Sequence, residues 1–167
     1  MIIKILKIRK FLLSFYRWYF SFDFLKSPSK IPKNIYIGKN VRIFPRGNII
    51  FGENIFIGDE TRITTNSTGF SNIYIGDFAL LADRVNIIGG AHEYRLRTMP
   101  ISLQGEGMQS PIYIERDCWV CAITTILSGS RLPEGSILGS NSLLNKKMDE
   151  KYSLYAGIPA KFIKVCR

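Results

Sequence analysis

The stretch that decides the fold is IIFGENIFIG, residues 49–58, in which Phe51-Gly52 and Ile57-Gly58 repeat one motif at an interval of six. An aliphatic residue followed by Gly recurs at Ile37-Gly38, Ile75-Gly76 and Leu138-Gly139. A period of six is neither the period of two of an ordinary strand nor the 3.6 of a helix. It indicates one inward aliphatic side chain in every six residues.

Three such six-residue edges make one triangular coil in which each edge is a short parallel strand. The residue after the aliphatic one makes the corner, where positive φ or close backbone approach favours Gly, Asn or Asp. No coil can bury its inner face alone, so coils must stack. The sequence therefore predicts an all-β parallel β-helix. An ordinary β-sandwich is disfavoured, because its turn signals recur every 8–12 residues without a fixed phase of six.

The C-terminal block is the most specific part of the chain. It runs PIYIERDCWVCA (111–122), ILSG (126–129), LGSNSLL (138–144) and YAGIPAK (155–161). Over residues 34–165 the chain resembles the hexapeptide-repeat acyltransferases, in the branch of sugar and polysaccharide O-acetyltransferases. The resemblance implies a left-handed β-helix, an acetyl-CoA co-substrate and a homotrimer with sites between subunits.

The block also departs from the family pattern. Glu115 and Cys121 stand where the family usually has Gly, and Ser128 replaces the usual Pro before Gly129. Arg131-Leu132-Pro133 replaces the usual aliphatic-Ile-Gly step. These changes keep a non-catalytic β-helix for binding or assembly open as an alternative to an enzyme.

The first third of the chain holds the whole excess of positive charge. Residues 1–50 contain eleven Lys and Arg against one acid, whereas residues 51–167 contain twelve of each sign. We expect residues 1–33 to be a basic amphipathic helix and linker, and residues 34–167 to be the β-helix domain with its C-terminal tail. Residues 1–26 fit peripheral contact with the cytoplasmic face of the plasma membrane or packing on protein, and the sequence favours neither. They are too interrupted by charge to span a bilayer and lack a cleavage signal.

Other partners and compartments are limited by composition. The chain lacks zinc-finger, RNP-like and helix-turn-helix patterns, so we expect no nucleic acid partner. Cys118, Cys121 and Cys166 are odd in number and do not form a disulfide framework, which indicates a reducing, cytoplasmic compartment. We expect the Cys118–Cys121 pair to pack in the core and to hold no metal. A single His excludes the metal site of the carbonic anhydrases of this fold.

Residues 90–110 interrupt the repeat and begin with that single His, His92. In the family such an excursion covers the site of the neighbouring subunit and starts with the catalytic His. A sugar hydroxyl must lose its proton as it attacks a thioester, and imidazole titrates in the range that suits a general base. We therefore expect His92 to be catalytic.

Further site residues follow from the resemblance and from side-chain chemistry. Candidates for the acceptor site, each with a loop or turn role as the alternative, are Asn66, Glu93, Tyr94, Arg95 and Arg97. Glu93 could orient the imidazole, contact the acceptor or be solvated, and the two Arg suit a phosphorylated or acidic acceptor. Candidates for the CoA site are Trp119, Ala122, Ser140, Asn145, Lys146, Lys161 and Lys164.

The predicted function is transfer of an acetyl group from acetyl-CoA to a sugar hydroxyl. The setting we expect is synthesis of a surface polysaccharide such as a capsule, O-antigen or exopolysaccharide. N-acetylation of a nucleotide-linked amino sugar is the alternative within enzymes. The sequence does not separate acetyl from slightly longer acyl donors or identify the sugar.

Overall fold

The computed structural model describes residues 34–44, 48–66 and 72–167. The predicted helix and linker of residues 1–33 therefore lie outside the described residues. Among the residues described, no helix is long and apolar enough to cross a bilayer. The strands in chain order are β1 (Tyr36–Ile37), β2 (Arg42–Phe44), β3 (Ile49–Phe51), β4 (Phe56–Ile57), β5 (Arg62–Thr64), β6 (Ile73–Ile75), β7 (Leu80–Leu81), β8 (Asn86–Ile88), β9 (Ile112–Ile114), β10 (Trp119–Val120), β11 (Thr125–Leu127), β12 (Arg131–Leu132), β13 (Ile137–Leu138), β14 (Leu143–Leu144), β15 (Ser153–Gly157) and β16 (Ala160–Val165).

Three parallel sheets form the three sides of a prism. The first sheet has the order β1-β4-β7-β10-β13-β15-β16, the second β2-β5-β8-β11-β14 and the third β3-β6-β9-β12. Every third strand along the chain thus returns to the same sheet, one coil higher. The exceptions are β15, which pairs in parallel with β13 only two strands earlier, and β16, which folds back antiparallel on β15 and closes the top of the first sheet. The predicted parallel β-helix is confirmed.

The interior follows the predicted phase of six. The inward aliphatic residues of the upper coils are each at most 1% exposed: Ile114, Val120, Ile126, Leu132, Leu138 and Leu144. Two residues before each lies a second inward position, which is large at Ile112 and small from residue 118 onwards: Cys118, Thr124, Ser130, Ser136 and Ser142. Large and small side chains therefore alternate inward along the upper coils, and each residue packs on its equivalents in the coils above and below.

At the corners, positive φ and close backbone approach fall on different residues, although the sequence allowed one residue to meet both requirements. Positive φ occurs three residues after the inward aliphatic residue, again in steps of six, at Asp117, Ile123, Gly129, Gly135 and Asn141. Several of these residues are not Gly, and Ile123, with φ of 63°, is β-branched. A β-branched residue rarely adopts this left-handed conformation. The tight packing of coil on coil imposes it.

The Gly that directly follows the aliphatic residue serves close approach instead. A Cβ on Gly58 would lie 2.6 Å from the Asp83 amide N of the next coil, and one on Gly38 would lie 2.7 Å from the Asp59 amide N. The Asp59 carboxylate accepts the Lys39 N–H at 2.7 Å, and the Asp83 carboxylate accepts the Asp59 N–H at 2.8 Å. Each Asp carboxylate thus accepts the N–H of a corner residue one coil below. It occupies space that is open only because the preceding residue of that corner is Gly.

Coil length varies, and the variation shows where the chain leaves the prism. Trp119 pairs with Ile137, so the upper coils advance by 18 residues. Asn86 pairs with Thr125, an advance of 39 residues, because the chain makes an excursion between β8 and β9. This excursion covers residues 89–111 and confirms the predicted loop at 90–110. It includes a 3₁₀ turn at Ile101–Leu103.

The Gly–Asp corner gives a direct test of the packing. Gly58→Ala should lower the free energy of unfolding by about 1–3 kcal/mol, because the added methyl group must displace the backbone of the next coil. The measurement is the midpoint of urea unfolding followed by circular dichroism.

Gly90→Ala is the matched control. Its Cβ would meet no atom closer than the Asn66 amide N at 3.8 Å, so this variant should match or slightly exceed the wild type in stability. Equal midpoints for the two variants would show that close approach at the corner does not constrain residue 58.

Candidate active site

The base of the excursion is a short antiparallel pairing that positions His92. Gly107 N–H donates to the Ala91 carbonyl at 2.9 Å, and Glu93 N–H donates to the Gly105 carbonyl at 3.0 Å. These two bonds flank the bridge between His92 and Glu106, so the two residues form a non-hydrogen-bonded pair. Directly opposed residues of such a pair direct their side chains to the same side, with the closest spacing in a sheet.

A hydrogen bond fixes the tautomer of His92. The imidazole Nδ1 lies 3.0 Å from the Gly105 carbonyl oxygen. A carbonyl can only accept, so Nδ1 bears the proton, and in the neutral ring Nε2 has the free lone pair. The side chain is exposed, so this lone pair is accessible from solvent. A ring held in this way can accept a proton at Nε2.

The Asn66 amide joins the same group of residues. Its Nδ2 donates to the Glu106 carboxylate, and its backbone carbonyl accepts the Asn48 side chain at 2.8 Å. His92, Glu106 and Asn66 therefore meet where the second and third sheets join. Sequence reasoning missed Glu106, because the excursion has no repeat phase from which its pairing with His92 could be read.

Glu93 serves the loop rather than the imidazole. Its carboxylate accepts the Tyr94 and Arg95 amides and the Arg95 Nε, each at 2.9 Å. The hydrogen bonds from the Arg95 side chain and amide and from the Tyr94 amide lower the pKa of Glu93 to about 2. The Arg95 guanidinium is thus engaged, whereas Tyr94 and Arg97 are exposed side chains on the excursion.

The candidate CoA residues fall into two groups in a single chain. Most of them follow the upper end of the first sheet and its corner with the second sheet: Trp119, Ala122, Ser140, Lys161 and Lys164. Trp119 is 47% exposed, and its outward row continues through Ile137 and Leu154 to Lys164. Asn145 and Lys146 lie apart from them, at the next corner after β14.

An open groove of about 360 Å³ runs along the lower part of the corner between the first and second sheets. Ala122 contributes to its lining. Asp59, Asp83 and Ile123 line it as well. The groove continues the column of corners that includes Ser140. It is separated from His92, because the excursion that bears His92 leaves the prism at the corner between the second and third sheets.

The departures at Cys121 and Glu115 fit the packing. Cys118 and Cys121 are buried, and burial raises the pKa of the Cys118 thiol to about 12. Glu115 accepts the Arg131 Nε at 2.7 Å and the Glu134 N–H at 2.9 Å. Burial opposes its ionisation, but these hydrogen bonds outweigh burial and lower the pKa of Glu115. Its carboxylate links two coils, much as Asp59 and Asp83 do lower in the prism.

Comparisons with known proteins show a likeness to several acetyltransferases. A search of protein-family models gave no match. A probable acetyltransferase of Mycobacterium tuberculosis is 32% identical over 136 residues, which are 81% of this chain and 43% of that protein. The Escherichia coli protein named "putative lipopolysaccharide biosynthesis O-acetyl transferase WbbJ" is 28% identical over 77% of this chain and 66% of its own length. The chain thus spans less than two thirds of these curated relatives.

A solved structure agrees with the fold. The hexapeptide-repeat acetyltransferase of Vibrio cholerae, determined with acetyl coenzyme A, superposes with a TM-score of 0.71 at 20% identity. The match covers 82% of this chain and 70% of that one. This chain therefore shares the fold of that acetyltransferase. The shared fold confirms the predicted fold class, a left-handed parallel β-helix.

The Glu93 contacts predict a local loss of order in the excursion. Glu93→Gln should speed hydrogen exchange of the Tyr94 and Arg95 amides at pH 7, because the charged acceptor for both is gone. In the wild type the contribution of the carboxylate is complete above its ordinary pKa of 4.5 and is lost as the pH falls towards about 2.

Hydrogen-exchange mass spectrometry with peptides covering 92–97 measures this effect. Glu53→Gln, an exposed carboxylate at a corner of the prism, is the control and should leave those peptides unchanged. Unaltered exchange in Glu93→Gln would contradict the role of Glu93 as the clamp of the loop.

Proposed function

We propose that the protein transfers an acetyl group from acetyl-CoA to a sugar hydroxyl, with His92 as the general base. The observation on which this depends is the Nδ1–H bond from His92 to the Gly105 carbonyl, which leaves the Nε2 lone pair exposed. The acetyltransferase names of the curated relatives support the reaction class, and the O-acetyl transferase name of the E. coli relative supports a hydroxyl acceptor.

The reaction proceeds by direct transfer. Nε2 of His92 removes the hydroxyl proton while the sugar oxygen attacks the thioester carbonyl. A backbone N–H stabilises the resulting oxyanion. The intermediate collapses to the sugar acetate ester, and the departing thiolate of CoA takes the proton from the imidazolium. No covalent acyl-enzyme is needed, and the buried thiol of Cys118 has no part in the reaction.

Glu106 acts as a positioning residue. Its carboxylate faces the same side of the antiparallel pair as the imidazole and accepts a hydrogen bond from Asn66. The pairing of Glu106 with His92 holds the backbone of His92 in place at the base of the excursion. The Asn66 amide is held at the same time, at the position where we expect the acceptor to bind.

Acetyl-CoA binds, in this proposal, along the corner that includes Ala122 and Ser140. Trp119 offers an exposed indole beside it, and Lys161 and Lys164 on β16 suit the phosphates of CoA by charge. Asn145 and Lys146 are exposed at the adjoining corner and complete the candidate set.

A homotrimer would unite the two halves of the site. In one chain, His92 and Ala122 lie at different corners of the prism. The groove lined by Ala122 in one subunit must therefore meet the excursion of another. The excursion also exposes large apolar side chains, including Tyr94 at 71%, Leu103 at 69% and Met108 at 79%. Exposed apolar groups in a cluster mark contact surfaces. Assembly would cover them.

The biological setting follows from the same proposal. Acetylation of a saccharide during surface-polysaccharide synthesis is supported by the lipopolysaccharide name of the E. coli relative. Residues 1–26, if they contact the membrane, would hold the enzyme near a membrane-linked acceptor on the cytoplasmic face.

The test is release of free CoA thiol from acetyl-CoA in the presence of a panel of hexoses, N-acetylhexosamines and nucleotide-linked sugars. His92→Ala should lower kcat/KM by about 10²–10⁴, the usual contribution of a general base. Its affinity for acetyl-CoA should not change. Hydroxylamine should release the acetyl group from the product, because it cleaves esters and not amides.

Glu106→Gln is the companion variant. It keeps the size of the side chain and should lose less activity than His92→Ala, because the base remains in place. Wild-type activity in His92→Ala would contradict the proposed base, and a hydroxylamine-resistant product would redirect the proposal to N-acetylation.

A further inference from the structure

Two arginines stand side by side on the outer face of the second sheet. Arg42 begins β2 and Arg62 begins β5, and the register pairs them directly. Both are exposed, whereas the residues that follow them, Ile43 and Ile63, point into the prism. Adjacent strands are about 4.8 Å apart, so the two guanidinium groups share one small patch of surface. We name this pair the arginine ladder.

The arginine ladder is not neutralised within the part of the chain that the structure describes. Neither Arg42 nor Arg62 has a carboxylate within ion-pair distance there, although five other arginines do: Arg84, Arg95, Arg116, Arg131 and Arg167. The acids of the adjoining corner are already engaged. Glu60 pairs with Arg84 at 2.9 Å, and Asp59 accepts the Lys39 amide. Like charges directly opposed across strands destabilise a sheet, so an anionic ligand would relieve a cost that the fold leaves uncompensated.

The ladder lies on the approach to the candidate active site. Arg62 begins the strand that leads to Asn66, four residues later, and extended backbone of that length spans about 13 Å. Asn66 is bonded to Glu106, which lies opposite His92. Above Arg62 the row continues with Asn86 and Thr125, which offer hydrogen-bonding side chains and no negative charge.

We propose that the arginine ladder binds the diphosphate of an acceptor sugar that is attached to its carrier through pyrophosphate. Two guanidinium forks one strand apart match two phosphates that share a bridging oxygen, since Arg binds phosphate through paired N–H donors. A sugar attached to a diphosphate held there would extend across β5 towards Asn66 and His92. The proposal deepens the proposed function, since it names the class of acceptor for that site. Nucleotide-linked and lipid-linked sugars share this chemistry.

The experiment is calorimetric titration of inorganic pyrophosphate into the full-length protein at low ionic strength. Arg42→Gln together with Arg62→Gln should weaken binding at least about tenfold, because hydrogen bonds between charged groups are lost. Lys147→Gln together with Lys151→Gln removes the same charge from exposed residues outside both candidate sites and should bind pyrophosphate as the wild type does. Uridine diphosphate, as a probe for a nucleotide carrier, and geranyl diphosphate, as a probe for a lipid carrier, are titrated in the same way. The one that binds more tightly than pyrophosphate identifies the carrier.

Three results would overturn the proposal: no binding of any diphosphate by the wild type, equal binding by the arginine variant, or loss of binding in the lysine variant alone. Light scattering provides a further check. A lower molecular mass for the arginine variant would mean that the ladder pairs with acids of another copy instead. None of these readouts depends on acetyl transfer, so failure of this inference is distinguishable from failure of the proposed function.

Discussion

The structure depends on the stacking of coils in register, with each inward aliphatic side chain packed on its equivalents in the coils above and below. Strands of two or three residues cannot fold alone, and they gain their stability from the column of apolar side chains inside the prism. Ile57, Leu81, Val120 and Leu138 form one such column along the first sheet, and none of the four is measurably exposed. This column requires the coils to approach closely at the corners, and that approach requires Gly38 and Gly58 and the left-handed backbone of Ile123.

The excursion at residues 89–111 is tolerated because it leaves the prism at a corner and returns in register. Ile88 and Leu127 remain paired across it, so the interior is unaffected by the insertion. Freed from the repeat, the loop forms its own antiparallel pair and brings His92 and Glu106 together. A rigid prism thus supports a short irregular segment that orients one imidazole. Gly107 permits this pairing, because a Cβ there would lie 2.7 Å from the His92 carbonyl carbon.

The sequence was sufficient to predict the prism and the excursion, and insufficient to predict the contacts around His92. The phase of six predicted the inward positions and the excursion, because one buried aliphatic residue per edge leaves a regular trace. Glu106 and the Glu93–Arg95 pair could not be predicted, because their contacts depend on loop geometry without a repeat. The arginine ladder could not be predicted either. Arg42 pairs with Arg62 because the lowest coil has 20 residues, whereas the upper coils have 18. Glu115 departs from the family pattern, yet its carboxylate links two coils.

Calorimetric titration of acetyl-CoA into the purified full-length protein tests directly whether this β-helix uses acetyl-CoA. It requires no knowledge of the acceptor sugar. We expect saturable binding with one site per chain, weakened by Lys161→Ala, since β16 provides charge for the phosphates of CoA. If the folded protein binds no acetyl-CoA, the β-helix is a binding or assembly module rather than an acetyltransferase.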